Sequence, residues 1–461
     1  MLTDMDADML KRLVRKYSPL YAMYVEYPHK SFWAQQAGDE KYRAAMKNMF
    51  SRRKDTPLML YIHIPFCRHQ CFYCTCHTYF TDDYEKVKGY MDCLYREIDI
   101  LAGFLEKNSV KANVREIHLG GGSPTILREK EFDQLIKKIQ RVADIKKLDE
   151  FAIEIDPREV DKEKMKYYHS KGINRVSFGV QEFDSDVQKA INRVQPRPVT
   201  EVLLEPDIRK YFNGVNFDIM WGLPRQTRES FRKTIDTVME LSPDRISLLL
   251  LHYAPELKKH QKLMKKSELP DVCERAVIFY EAVQTLVRNG YVRIGFEHLA
   301  KPDDVLSKAL KERTLYWNSL GYTAGRYHDI IGLGTGSSGN IANNCYFQNV
   351  YSLSEYEAAV MEGRFPVSRG YKLNTDDVIR RDIIHSLRSY FSVDYGDIGK
   401  KYELCFMEYF KKEMAALKRF ADDSLLEISD GAINVTEIGK NFISHICRVF
   451  DGFSKDETFT P

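Results

Sequence analysis

The sequence predicts an α/β protein, with repeated βα units around a mainly parallel sheet and a mainly helical C-terminal region. Three observations predict it. Between about residues 56 and 250, short apolar runs rich in β-branched residues alternate with longer segments of helical period. Polar and glycine-rich motifs follow those runs, where parallel α/β folds gather their functional groups. From about residue 270 the rhythm changes to helix-rich sequence.

The elements follow in order. Residues 1–55 form an N-terminal segment rich in aromatics, "YSPLYAMYVEYPHKSFW", expected to cover the active site. Six runs then read as strands: "LMLYIHI", "REIHLG", "FAIEID", "INRVSFG", "VNFDIMWG" and "DRISLLLL". Between them, segments such as "DYEKVKGYMDCLYREIDILAGFL" repeat apolar residues at three and four, the period of a helix. Six such units suit an open or partial barrel, or a doubly wound sheet, over residues 56–300. "VCERAVIFYEAVQTLVRNGY" is a helix stopped at Gly290, and residues 301–370 carry the Gly-rich "GLGTGSSGN" as an extension beside the barrel. Residues 371–461 read as a helical domain. Within it "EISDGAINV" alternates apolar residues around Asp-Gly, a tight hairpin, and a helix follows; helices plus a hairpin resemble a winged helix.

Composition prunes the chemistry. The 461 residues carry 69 basic and 66 acidic side chains, a net charge of +3, so no global field points to nucleic acid or membrane. "KKHQKLMKK", Lys258 to Lys266, reads as solvated helix surface. No run approaches the roughly 18 apolar residues of a membrane span, and the polar start is not a secretory signal. A reducing, cytoplasmic setting follows as the expectation. There, clustered cysteines bind metal or do redox chemistry.

Nine cysteines are present, and four fall in "YIHIPFCRHQCFYCTCHTYF": Cys67, Cys71, Cys74 and Cys76. The other five, Cys93, Cys273, Cys345, Cys405 and Cys447, are scattered singly and read as small core residues. A structural zinc site prefers paired C-x2-C knuckles and four ligands. Here the second knuckle is missing, although His69, Cys76 or His77 could complete a set. A thioredoxin-like Cys71–Cys74 pair would leave Cys67 idle. Three thiolates on one loop can instead hold three irons of a [4Fe-4S] cube and leave the fourth open. The loop begins directly after the first strand. "GGGSP", Gly120 to Pro124, follows the second, Glu154 and Asp156 close the third, Gln181 follows the fourth and Asp218 ends the fifth. Tyr61 and His63 share a strand face and can equally pack inside a barrel.

C-x3-C-x2-C after the first strand resembles the signature of the radical S-adenosylmethionine enzymes. The ordered series "YIHIPFC", "IHLGGGSPTIL", "IEIDPREV", "VSFGVQEFD", "INRVQP", "FDIMWGLPRQT", "IGFEHLAKPDD", "GYT", "IIGLG" and "DDVIRRDIIHSL" resembles the oxygen-independent coproporphyrinogen III oxidases from about residue 56 nearly to the C-terminus. The resemblance implies a partial (β/α)6 barrel. It also implies that Cys67, Cys71 and Cys74 ligate a [4Fe-4S] cluster and that S-adenosylmethionine chelates its open iron, with Gly121 and Glu154 contacting the cofactor and Tyr61 beside it. A second S-adenosylmethionine is implied at Tyr73, Gly122, Ser123, Gln181, Arg193 and Asp218, with His252 and Ser338 at further cofactor positions. Cys76 matches a family cysteine that is not a ligand, with a role beside the cluster or on the substrate side, or else in packing alone; Tyr61 and Cys76 are the catalytic candidates.

The implied reaction is reductive cleavage of S-adenosylmethionine to a 5′-deoxyadenosyl radical, which abstracts hydrogen from a propionate β-carbon of coproporphyrinogen III. Loss of carbon dioxide and one electron leaves a vinyl group, and two such events give protoporphyrinogen IX in heme biosynthesis. The implied partners are a tetrapyrrole substrate and a reduced flavodoxin- or ferredoxin-type electron donor, with the chain a monomer. The sequence departs from the family pattern at several places: Leu20 stands for an arginine, Thr75 and His77 for a glycine and an asparagine, and His252 for a small residue. Alternatives are a related radical methyltransferase or tetrapyrrole-modifying enzyme, or a non-catalytic heme or cluster chaperone on the same fold.

Overall fold

The computed structural model describes residues 4–17, 26–35, 37–52, 55–318, 320–325 and 329–453. Leu20 lies outside them. Six parallel strands pair in chain order: β1 (Pro57–Ile64), β2 (Asn113–Gly121), β3 (Glu150–Ile155), β4 (Arg175–Gln181), β5 (Gly214–Trp221) and β6 (Arg245–Leu250). They read as apolar runs because both faces of a parallel sheet are covered; seven of the eight β1 positions are buried. Fully burying Ile62 or Leu119 contributes about 2 kcal/mol each.

Five of the six named helices start on a residue whose side chain satisfies free N–H groups. Asp83 caps α1 (Tyr84–Lys107) and Asp161 caps α3 (Lys162–Ser170). Asp184 caps α4 (Ser185–Ala190) and Asp271 caps α6 (Val272–Arg288). Thr227 and Ser230 form a capping box on α5 (Arg228–Leu241), whereas α2 (Glu129–Ile139) follows Arg128 without a side-chain cap. The apolar stripes of α1, α2, α3, α5 and α6 share one continuous core with the sheet, whereas Val187 of α4 packs in a smaller cluster with Met220 and Leu251.

The sheet continues beyond the six predicted strands. Past β6 lie β8 (His298–Ala300) and then β7 (Val292–Ile294), both antiparallel. On the other side β9 (Asp329–Leu333) runs parallel to β1, followed by the antiparallel β10 (Ser338–Ile341), β11 (Cys345–Asn349) and β12 (Val367–Lys372). The two-residue strand Ala34–Gln35 ends the row on β12, giving a 13-stranded sheet with two free edges, a partial rather than a closed barrel.

The C-terminal region opens with α7 (Thr375–Tyr390), capped by Asn374 and Asp377. The expected Asp-Gly hairpin joins Leu426–Ile428 to Ala432–Val435, and Ser392–Asp394 adds a third strand. The helix Ile443–Val449 follows. Among the described residues no helix is long and apolar enough to cross a membrane. The scattered cysteines divide: Cys273 and Cys447 are buried, Cys93 and Cys345 half-buried, and Cys405 is exposed next to a short helix rather than in the core.

Candidate active site

The carboxyl ends of the strands converge on a cavity of about 420 Å³. Cys67, Cys71, Cys74 and Cys76 line one side of it. Gly121 from the end of β2, Glu154 from β3, Gln181 from β4, Asp218 from β5 and Leu250 from β6 line the other, together with Gly122, Tyr73, Ser123, Arg193 and His252. A second cavity of about 460 Å³ runs down the barrel interior, lined by Lys30, Tyr61, His77, His118, Ser338 and Tyr351 among others. Cys76, Gly121, Glu154, Ser177 and Asp218 line both. Tyr61 and Ser338 therefore belong to the barrel cavity rather than the thiol cavity, and Cys76 stands at the junction.

The glycine run is explained by the backbone passing close to other groups. A Cβ on Gly120 would lie 2.6 Å from Glu154 Oε1, and one on Gly122 would lie 2.6 Å from the Phe66 carbonyl oxygen. Glu154 consequently sits against bare backbone. It accepts from His118 Nε2 at 3.0 Å and from the Gly121 N–H at 3.1 Å. Burial works to raise this carboxyl, but the His118 hydrogen bond and charge outweigh it and hold Glu154 below the usual range, ready to accept hydroxyls as an anion. Asp218 goes the other way: burial, then the nearby Glu154 charge, push it up to about 6 despite hydrogen bonds from Asn216 and Ser177.

Arg193 is buried and already committed. Nη1 donates to Asp156 Oδ2 at 3.1 Å and points to Cys71 Sγ at 3.5 Å; Nη2 donates to the Gly179 carbonyl. Arg158 adds a second guanidinium on Asp156 at 2.6 Å. Burial opposes ionisation of Asp156, yet Arg193 and Arg158 bring its carboxyl down to about 2. The carboxylate that Arg193 meets in this structure is thus the chain's own. Gln181 sits at φ 70°, and its buried Oε1 has no hydrogen-bond partner among the described residues. Ser123 turns inward to Thr125, itself bonded to Glu159.

Tyr61, His63 and His77 form a chain along the barrel cavity. His63 Nε2 lies 2.9 Å from the His77 carbonyl, which can only accept, so this nitrogen carries the proton. Nδ1 is then the acceptor, and Tyr61 donates to it at 3.0 Å. Burial keeps His63 neutral and the Tyr61 phenol well above its ordinary range. The His77 ring packs edge-on against Tyr351 at 4.8 Å.

The cysteine loop is held by a segment that its composition misrepresents. Two short 3-10 turns, Lys259–Leu263 and Lys266–Glu268, stand where the composition predicts a solvated helix. Lys258 Nζ donates to the Cys76 carbonyl at 2.9 Å, His260 Nε2 to the Cys74 carbonyl at 2.7 Å, and Gln261 Nε2 to the Tyr73 carbonyl at 2.9 Å. Gln261 is fully buried. From the other side Asn192 Nδ2 holds the Gln70 carbonyl at 2.9 Å. His118, Lys258, His260 and Gln261 are the residues that sequence reasoning missed. Only His118 left a local signal, one alternation before Gly120 on the same strand face.

The donor set fits a cluster better than a single ion. All nine cysteines are free, and the four loop thiols line one cavity with glycine backbone and an ionised Glu154 opposite. Among the described residues no three His, Cys, Asp or Glu side chains stand close enough to hold one metal ion. Thiols at separate corners of a cube need no such proximity. The unpartnered Gln181 oxygen is an acceptor waiting for a donor that the described residues do not supply.

Comparison with known proteins agrees. Residues 61–238 match the radical SAM superfamily. The chain is 34% identical to the oxygen-independent coproporphyrinogen III oxidase of Pseudomonas aeruginosa over 97% of this chain and 96% of that one. It is 33% identical to the enzyme of the same name from Helicobacter pylori, over 95% of each. The chain belongs to the oxygen-independent coproporphyrinogen III oxidase family. A solved coproporphyrinogen III oxidase from Escherichia coli, described as a radical SAM enzyme, superposes with a TM-score of 0.87 at 34% identity, covering 96% of this chain and 98% of that one. Membership of this oxidase family implies a [4Fe-4S] cluster and S-adenosylmethionine, which the thiol cavity suits. Of the positions read as departures from the family pattern, His77 lines the barrel cavity and Thr75 and His252 the thiol cavity.

Proposed function

We propose that this chain converts propionate side chains of coproporphyrinogen III to vinyl groups, giving protoporphyrinogen IX, in the cytoplasm and as a monomer. The observation that carries this reading is the junction at Cys76, where the cavity that Cys67, Cys71 and Cys74 also line meets a barrel cavity large enough for part of a tetrapyrrole. Cys67, Cys71 and Cys74 would hold the cluster, and Gly121 and Glu154 the adenosyl cofactor. Tyr73, Gly122, Ser123, Gln181, Arg193, Asp218 and His252 would border a second one. When bound, cluster and cofactor would supply a 5′-deoxyadenosyl radical for hydrogen abstraction at the propionate β-carbon, and loss of carbon dioxide with transfer of one electron to an external acceptor would leave the vinyl group.

The chain's own residues do the rest. Glu154, kept ionised by His118, accepts ribose hydroxyls. Arg193 and Arg158 neutralise Asp156 beside Cys71. Tyr61, fixed through His63 to the His77 backbone, presents a rigid ring to the barrel cavity. The N-terminal segment, whose Lys30 lines the barrel cavity, covers the substrate. A reduced flavodoxin- or ferredoxin-type protein supplies the electron.

The test is anaerobic reconstitution with iron and sulfide, followed by reductant, S-adenosylmethionine and coproporphyrinogen III. Vinyl products and 5′-deoxyadenosine are expected. Absence of both from cluster-loaded protein overturns the proposal; S-adenosylhomocysteine in their place marks a methyltransferase, and tetrapyrrole binding without cleavage a chaperone.

A further inference from the structure

The two 3-10 turns that grip the cysteine loop have an outer face that the reaction chemistry leaves unused. Residues 256–268 hold five lysines against two acids, the same excess of three that the whole chain carries. Lys259, Lys262, Lys265 and Lys266 are all exposed. Of the two acids, Glu268 is taken by Arg225 at 2.8 Å and Glu256 reaches Lys262 only at 3.9 Å. Lys259 and Lys266 have no ion-pair partner among the described residues. Between these charges Leu257 and Leu263 project into solvent, 72% and 60% exposed.

Position gives this patch its meaning. The same turns donate through Lys258, His260 and Gln261 to the carbonyls of Cys76, Cys74 and Tyr73, so the patch is the outer surface of the thiol loop's own support. An electron bound for those thiols has to enter from outside, and the loop's Arg68 is exposed as well. We propose that this lysine and leucine face is the docking surface for an acidic one-electron carrier protein, which contacts Leu257 and Leu263 and is steered by the surrounding lysines. The carrier loses one electron and the cluster site gains it. A small charged interface with an apolar centre suits a transient redox encounter, which sits at the low end of interface sizes and gains mainly in association rate from charge complementarity. This inference rests on the proposed radical chemistry for the need of an electron, but its binding measurement does not.

The test compares wild type with Lys259→Glu/Lys262→Glu/Lys266→Glu and with Leu263→Ser; none of these side chains touches the cysteine loop. Metal-free protein is titrated with an acidic flavodoxin at several salt concentrations. Wild-type binding should weaken steeply with salt, and the triple variant should bind at least about tenfold more weakly, the low end of what charge steering supplies. In reconstituted protein the flavodoxin-driven cleavage of S-adenosylmethionine should fall by a similar factor, while dithionite-driven cleavage stays unchanged. Equal flavodoxin binding by wild type and triple variant overturns the proposal. So does loss of the dithionite-driven rate, which would make the patch a support of the loop only. Salt-sensitive binding of the wild type to phosphatidylserine vesicles or RNA with none to flavodoxin also overturns it. If wild type binds flavodoxin as expected but cleaves nothing with dithionite, the proposed function fails and the docking surface stands.

Discussion

Arg193 holds a guanidinium nitrogen 3.5 Å from the sulfur of Cys71 while the same nitrogen donates to Asp156. A buried arginine beside a carboxylate favours its ionised form, and Asp156 is held low by it. Arg193→Met keeps the volume and removes the charge. Asp156 keeps Arg158, so the loss falls at the low end for a broken buried pair, about 3 kcal/mol. Urea unfolding of the metal-free protein measures it, and iron bound per chain after reconstitution should fall as well. A variant with wild-type stability and full iron content would show that Arg193 is a spectator.

The four loop thiols are expected to separate into three and one. Cys67→Ala, Cys71→Ala and Cys74→Ala should each lose the iron and the visible absorption of the reconstituted protein, whereas Cys76→Ala keeps both. Cys76 is the exposed member and the one shared with the barrel cavity. Its loss should therefore depress vinyl formation without bleaching the protein. Bleaching of Cys76→Ala would overturn the ligand assignment.

Local features were legible in the sequence, and long-range ones were not. β1 announces itself because a strand buried on both faces needs an unbroken apolar run, and Asp430-Gly431 marks its hairpin because few residues tolerate that turn. The thiol loop and glycine run are local too. β9 was hidden: Gly332 interrupts "DIIGL" because a Cβ there would come within 2.6 Å of the Ser338 carbonyl on the neighbouring strand, so a close-packed strand reads as a Gly-rich loop. The partners of Glu154 and of the Tyr73 carbonyl lie 36 and 188 positions away, His118 and Gln261, and no spacing rule reaches them.

Gln261 is a stability prediction with a local readout. Its Oε1 accepts from the Ala254 N–H at 2.6 Å, and its Nε2 donates to the carbonyls of Tyr73 and His252. Gln261→Leu preserves the bulk but leaves these buried groups unpaired, at a cost of about 3 kcal/mol. Trypsin should then cut the loop at the exposed Arg68 faster than in wild type while far-ultraviolet circular dichroism is unchanged. Unaltered cleavage at Arg68 would mean that His260 and Lys258 suffice to hold the loop.

Glu97 on α1 pins the Gly-rich turn. It accepts from the Gly334 N–H and the Tyr356 hydroxyl, both at 2.6 Å, and from Asn349 Nδ2 at 2.8 Å. Gly334 itself sits at φ 94°, with the His63 carbonyl 2.5 Å from where a Cβ would be, so the turn lies directly on β1. Burial raises the Glu97 carboxyl to about 7, against the three donors that favour its anion. The folded-state value lies above the unfolded one, so the folded protein takes up a proton here. This group's contribution therefore favours the fold below about pH 4.5 and is progressively lost as pH rises through about 7. Glu97→Gln cannot titrate, and its amide meets the same donors with one hydrogen too many. It should be less stable than wild type at pH 5, and the gap should narrow towards pH 8. Urea midpoints at pH 5, 6, 7 and 8 check this, and a difference between the two proteins that stays constant across that range would place the Glu97 titration outside it.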